Sequence, residues 1–369
     1  MRETYVTIDT GRLREIYRYL LGRLPEGCAL TAVVKANAYG FGSVEVSRIA
    51  LEEGASSLAV AIAEEAAPIR AAGITAPIYI LGLSNASTFD LIAETGAIPA
   101  ICGATDLRAL QEAAERYGKT IDCTVAVDTG MHRIGIAPEE ALSFLERTDA
   151  YPNVNVIGFF SHMATADAPE REEAAVQIGR LLEMKRTVAE NRTETYEWSM
   201  SNSAGIVHYP ESHFDRVRAG IIQYGVWPSE TDVDRESVKA VLSWHAEVVH
   251  VQHLEPGESV GYGLSYTAER SVVIATVAVG YADGYSRRFS NGAPVLIGGV
   301  RGRVAGRVCM DQLMVELPAD VSVRPGDEAV LIGTQGGETI LVEELAEIAG
   351  TIPYELFCAI SSRVPRRYI

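Results

Sequence analysis

An alternation of two textures over the first two-thirds of this chain limits its fold more than any other feature. Apolar, β-branched runs begin near Ala29, Ser57, Pro77, Ile98, Ile121, Val154, Tyr196 and Arg216. Stretches with alanine, leucine and charge at helical spacing separate them, such as 104–117 and 172–190. Eight alternating units predict a parallel (β/α)8 barrel of the TIM type. A doubly wound open sheet competes, but it usually carries a glycine-rich first turn, and none follows an early run here. From about Val238 the texture changes. Short strands are expected from Ala246 to Val251, Val272 to Val279, Pro294 to Ile297, Arg303 to Val308 and Glu328 to Ile332, with turn signals such as Asn291-Gly292 between them. A length of 369 residues suits two domains. The expected architecture is therefore α/β plus β: a barrel domain over residues 1–237 and a mostly β domain over residues 238–369. The strand-like run from Thr4 to Ile8 could pair with either.

The C-terminal strand ends of such a barrel share one face, and that face carries the chemistry. Lys35, Asp128, His162, Asn202 and Ser203 all fall at or just past the ends of their runs. Lys35 is the most informative of them. It closes the apolar run that starts at Ala29, and Tyr39 and Gly40 follow within five residues. Burial lowers an amine's pKa, and a neutral amine can form a Schiff base with an aldehyde cofactor. Lysine and arginine together number 32, and four are lysine: Lys35, Lys119, Lys185 and Lys239. The surface charge is thus arginine, which makes a strand-end lysine stand out. A lysine that merely snorkels to solvent fits the segment equally well.

Composition excludes several classes. A formal charge of −17 argues against nucleic acid, which needs a basic face, and against an anionic membrane surface. No apolar stretch reaches the ~20 residues that span a bilayer. Asp9 and Arg12 stand where a signal peptide would need its apolar region. The five cysteines are scattered with no C-x-x-C, which reads as a reduced, cytoplasmic protein. His245 and His253 share one face of a strand while His250 takes the other, so their parity argues against zinc.

The segment Val33-Val34-Lys35-Ala36-Asn37-Ala38-Tyr39-Gly40-Phe41-Gly42 resembles the pyridoxal-phosphate lysine motif of the alanine racemases. Further motifs follow in the family's order: Asp128 to Gly135 (D-T-G-M-H-R-I-G), Ser161 to Asp167 (S-H-M-A-T-A-D), Gly280 to Gly284 (G-Y-A-D-G), Cys309 to Gln312 (C-M-D-Q) and Arg363 to Arg366 (R-V-P-R). The resemblance implies a homodimer that uses pyridoxal 5'-phosphate on Lys35. It implies that Tyr39, Ser203 and the N–H groups of Gly220 and Ile221 hold the phosphate, flanked by Asn202. Arg218 would face the ring nitrogen, and His162 would bond Arg218. Tyr262 would be the second catalytic base, reaching the partner subunit's cofactor together with Met310. Arg133 and the Met310 N–H would bind the substrate carboxylate, with Tyr281 and Asp311 at the entrance. Each residue also has an ordinary reading: a helix cap for Asn202-Ser203, a core histidine, a hairpin aromatic, a surface salt bridge.

Two positions depart from the family's pattern. Many members carry a carbamylated lysine two residues before D-T-G, and here that position is Ala126. Arg133 then needs another brace, such as chloride or a different acid or polar side chain. Ser362 is aligned with a tyrosine that closes the pocket in the family, so serine is expected as a second substrate. Vancomycin-resistance serine racemases also lack that tyrosine, but they carry a membrane domain, and no membrane segment is expected here. The implied activity is interconversion of L- and D-alanine for peptidoglycan. The rivals are a dedicated serine racemase, a decarboxylase of the same fold, which would pair the ring nitrogen with a carboxylate, and a non-catalytic cofactor binder, which would be a lone barrel.

Overall fold

The computed structural model describes residues 3–229 and 236–369. Strands Ala29–Val33, Ser57–Val60, Ile78–Leu83, Ile98–Ile101, Ile121–Ala126, Val154–Phe160, Glu197–Ser199 and Arg216–Ala219 pair in chain order, and the eighth pairs in parallel with the first. The sheet is closed, which rules out the open doubly wound alternative. Helices cover it because each presents one apolar stripe. Ala104–Tyr117, for example, buries Leu107, Leu110, Ala113 and Ala114 and ends at Gly118 in the left-handed region.

A polar plug fills the N-terminal end of the barrel. Glu197 and Arg216 open the seventh and eighth strands and pair through both carboxylate oxygens, at 2.6 and 2.7 Å. Arg216 Nη1 also donates to Ser57 Oγ at 2.6 Å and Thr31 Oγ1 at 3.2 Å, and the guanidinium lies 5.0 Å from the Tyr79 ring centroid. Four strands are thus tied at one end by one side chain. The opposite end is left for the site.

In the second sheet, the thirteen-residue strand Leu242–Leu254 pairs with Glu328–Gln335 through its first half and with Val272–Val277 through its second. The sheet therefore curls back on itself. Tyr5–Ile8 pairs antiparallel with this long strand, and Arg366–Tyr368 pairs parallel with Tyr5–Ile8. The N-terminal run thus joins the C-terminal sheet. Sequence reasoning missed the strand Leu313–Pro318, whose apolar run is broken by Glu316. That carboxylate is buried against Arg303 Nε at 2.5 Å. Two closing helices, Val342–Ala349 and Pro353–Ala359, were not expected either.

Glu197→Ala leaves Arg216 with an unmatched charge inside the barrel. Its stability in urea should fall by about 2–4 kcal/mol, slightly below the value for a fully buried pair because Glu197 keeps some solvent contact.

Candidate active site

Past Val33 the chain does not run outward into an ordinary helix. Ala36, Asn37, Ala38 and Tyr39 all adopt φ between 51 and 55°. They form a left-handed turn, with Ala38 N–H donating to Val34 O and Gly40 N–H to Ala36 O. Side chains with Cβ atoms disfavour this hand by roughly 1–2 kcal/mol per residue, so four residues carry strain on the order of 4–8 kcal/mol. External bonds hold the turn. Ala36 N–H donates to Glu65 Oε1 at 2.5 Å, Arg366 Nε donates to Gly40 O at 2.9 Å, and Tyr368 Oη donates to Phe41 O at 2.9 Å. No sequence signal announced this turn beyond Asn37, a residue type that tolerates the conformation.

The turn keeps Lys35 at the barrel mouth, in a cavity of about 260 Å³ lined also by Ala126, Asp128, Arg133, Phe160, His162 and Arg218. Burial lowers the Lys35 amine pKa, and the positive Arg133 and Arg218 lower it further, while Glu65 and Cys358 oppose them. Arg218 is 4% exposed. Its Nη1 donates to Ser199 Oγ at 2.6 Å, and its Nη2 to Ser161 O at 2.7 Å, Met200 O at 3.1 Å and His162 Nδ1 at 3.3 Å. Burial first, then Arg133, pulls the Arg218 guanidinium down to about 10, so it stays charged at neutral pH. Since arginine is always a donor, His162 accepts at Nδ1 and is neutral. Burial and the three neighbouring cations push its pKa down to about 3.

A second feature lies beside the cavity. Gly220 N–H and Ile222 N–H donate to Ser203 Oγ at 2.9 and 3.3 Å. A Cβ on Gly220 would stand 3.2 Å from Tyr39 Oη and 3.4 Å from Ser203 Oγ. Two hydroxyls and bare glycine backbone therefore converge on one point, with Ile221 buried next to it. Such a cradle suits a phosphate. Asn202 serves as a cap: its Oδ1 accepts from Gly205 N–H at the start of Ser203–His208.

Arg133 lies on the loop after the fifth strand, whose shape Asp128 sets by accepting from Gly130 N–H and His132 N–H, both at 2.9 Å. Among the described residues, no carboxylate pairs with Arg133. Ala126 is buried beside it and offers no polar atom.

The remaining candidates lie elsewhere. Tyr262, Met310 and Tyr281 are 69%, 53% and 43% exposed on the second domain, and none lines the cavity of its own chain. Tyr281 N–H donates to Cys309 O and Ala282 N–H to Met310 O, which laces two of these loops together. Asp311 pairs with Arg363 at 2.8 Å.

Ser362, expected in the substrate pocket, does not line the cavity of its own chain. It is exposed. The chain turns away there because Arg366 holds the carbonyls of Ile360, Ser361 and Val364. The ring beside the cradle belongs to Tyr354, whose centroid is 5.8 Å from that of Tyr39. Burial pushes the Tyr354 phenol up to about 12, and Asp167 adds to the shift. Tyr354 stands eight residues before Ser362, where Ile352-Pro353-Tyr354 opens the last helix.

The comparisons agree along the whole chain. The family model described as alanine racemase, N-terminal domain, matches residues 8–228, and that described as alanine racemase, C-terminal domain, matches residues 241–368. Alanine racemase of Symbiobacterium thermophilum is 42% identical over 100% of this chain and 97% of its own length. That of Carboxydothermus hydrogenoformans is 40% identical over 100% of both chains. The crystal structure of alanine racemase from Bacillus anthracis with bound L-Ala-P has a TM-score of 0.93 at 36% identity, covering 100% of this chain and 95% of that one. By sequence and by fold, this chain belongs to the alanine racemase family.

Proposed function

We propose that this enzyme racemises alanine with pyridoxal 5'-phosphate held on Lys35 and with its second base supplied by another copy of the chain. The observation that carries the reading is the cavity. A half-buried amine stands between two guanidiniums, beside a cradle of two hydroxyls and a bare glycine. Lys35 would hold the cofactor, Tyr39, Ser203, Gly220 and Ile221 its phosphate, and Arg218 its ring nitrogen, with His162 and Asn202 bracing them. When bound, the cofactor supplies an electron-withdrawing ring that acidifies an amino acid's Cα–H, and an arginine partner keeps that ring a modest electron sink. This pairing suits proton exchange and disfavours the decarboxylase reading.

Lys35 Nζ exchanges the proton on one face of Cα, and the partner's Tyr262 Oη does so on the other. Arg133 binds the substrate carboxylate with the Met310 N–H of the second copy, while Tyr281 and Asp311 shape the entrance. Residues 1–237, apart from the strand Tyr5–Ile8 that joins the second sheet, then form the cofactor domain, and residues 238–369 form the domain that completes the partner's site. The exposed Tyr262, Leu264 and Met310 support a homodimer. Five free cysteines support a reducing, cytoplasmic setting, in which D-alanine would feed peptidoglycan synthesis. Serine is proposed as a poor second substrate, since Ser362 lies outside the cavity.

Borohydride treatment of the yellow holoenzyme should leave the pyridoxyl adduct on Lys35, read by peptide mass spectrometry. An adduct on Lys119, Lys185 or Lys239 would sink the assignment.

Tyr262→Phe should slow proton removal from L-alanine on the order of 10²–10⁴-fold with little change in cofactor binding. Mixing inactive Lys35→Ala and Tyr262→Phe dimers should restore activity, because one hybrid site keeps both bases. No recovery after confirmed subunit exchange would refute the shared site.

Ser362→Tyr should leave the alanine-to-serine ratio of kcat/KM within about two-fold of its starting value, because the new ring would stand outside the pocket. A ten-fold shift toward alanine would show that Ser362 lines it.

A further inference from the structure

We infer that Glu65 is a positioning residue for Lys35: its carboxylate fixes the first peptide of the left-handed turn and presents an anionic charge to the amine. The inference rests on the reading of Lys35 as the cofactor lysine. Glu65 ends the 3-10 turn Ala63–Glu65 just past the second barrel strand. One of its oxygens accepts from Ala36 N–H at 2.5 Å. The other accepts from Ala61 N–H at 2.8 Å and Ile62 N–H at 3.4 Å. A single carboxylate thus joins the loops that follow the first and second strands. Ala36 directly follows Lys35, so the bond sets the plane of the peptide on which the lysine side chain is mounted. Without it, the first donor of a strained turn loses its acceptor.

Charge acts in the same place. Lys35 faces Arg133 from the loop after the fifth strand and Arg218 from the eighth, and both discourage protonation. His162 on the sixth is neutral. The Cys358 thiol, from the last helix, and Glu65 act in the opposite sense. The far end of the turn is fastened separately by Arg366 and Tyr368. Losing Glu65 therefore frees the lysine end alone.

Glu65→Gln is nearly isosteric, removes the charge and replaces one acceptor oxygen with a donor NH2, so it cannot accept from Ala36 N–H and from Ala61 and Ile62 N–H at once. In the holoenzyme, backbone hydrogen exchange over residues 35–42 should quicken by about tenfold. The limb of the kcat–pH profile for D-alanine on which Lys35 loses its proton should move to lower pH by about half a unit, with KM little changed. Glu65→Asp keeps the charge and should return the limb toward its original position. Unchanged exchange and an unmoved limb in Glu65→Gln would overturn the proposal. Borohydride trapping separates the two readings. An adduct on Lys35 with unmoved exchange and pH profile overturns the role of Glu65 alone, whereas an adduct elsewhere overturns the reading of Lys35 and this inference with it.

Discussion

Four residues wound against the hand that their own side chains prefer hold the mouth of this barrel together. An ordinary βα unit would lead the chain out and over the sheet after Val33. The left-handed turn delays that exit, so Lys35, Tyr39 and Phe41 all stay at the strand ends. Tyr39 and Phe41 then pack on Tyr224, with ring centroids at 4.8 and 4.6 Å. The conformation persists because its surroundings over-determine it. Gly40 is at φ +88°, and a Cβ there would lie 2.6 Å from Phe357 O, so the last helix presses directly on the turn. The strand that follows adds Arg366 and Tyr368. The end of the β domain is thus part of the support of a barrel residue.

Electrostatics explain why this mouth suits an anion in a chain of charge −17. Arg218 spends its donors on carbonyls, a hydroxyl and a neutral imidazole, and meets no carboxylate among the described residues. Its charge is solvated by dipoles and remains uncancelled. Arg133 adds a second cation and Lys35 a third. Most acids are dispersed elsewhere, largely in exposed pairs such as Arg116–Asp90, while Asp128 at the cavity spends its carboxylate on the Gly130 and His132 N–H groups. A low-dielectric cleft in which cations outnumber acids concentrates anions. Phosphate and carboxylate groups both meet that condition.

The sequence was legible where periodicity governs and opaque where long-range packing does. Eight apolar runs marked the barrel strands to within a residue or so, because a strand covered on both faces must be apolar throughout. The strand Leu313–Pro318 was missed because a buried ion pair puts Glu316 into an apolar run. The turn at Ala36–Tyr39 was invisible, since its conformation is imposed by Glu65, Arg366 and Tyr368, the last two more than three hundred residues away in sequence. The neighbour of Tyr39 was hidden for a related reason. The packing of the last helix puts Tyr354 beside Tyr39, and no local motif marks that contact.

Two-base racemisation, as proposed, needs a proton acceptor on each face of Cα, and the cavity of one chain offers a single candidate. Among the groups at the cavity and its rim, the Lys35 amine has lowered proton affinity, chiefly through burial. His162, at about 3, is too weak a base to take a proton from carbon. Burial raises the Tyr39 phenol, and Tyr354 stands at about 12, so neither is ionised when Lys35 is at work. Asp128 accepts the Gly130 and His132 N–H groups and is held below its usual range: burial alone would raise it, but these bonds outweigh that. On the proposed reading, a lone chain would exchange the Cα proton on one face and return it to the same face. Configuration would be kept. Inversion needs a second group from outside, and the exposed Tyr262 is placed to be offered rather than used at home. On that reading, the division of the chain into a barrel that holds one base and a β domain that presents another would make dimerisation a chemical requirement of the reaction.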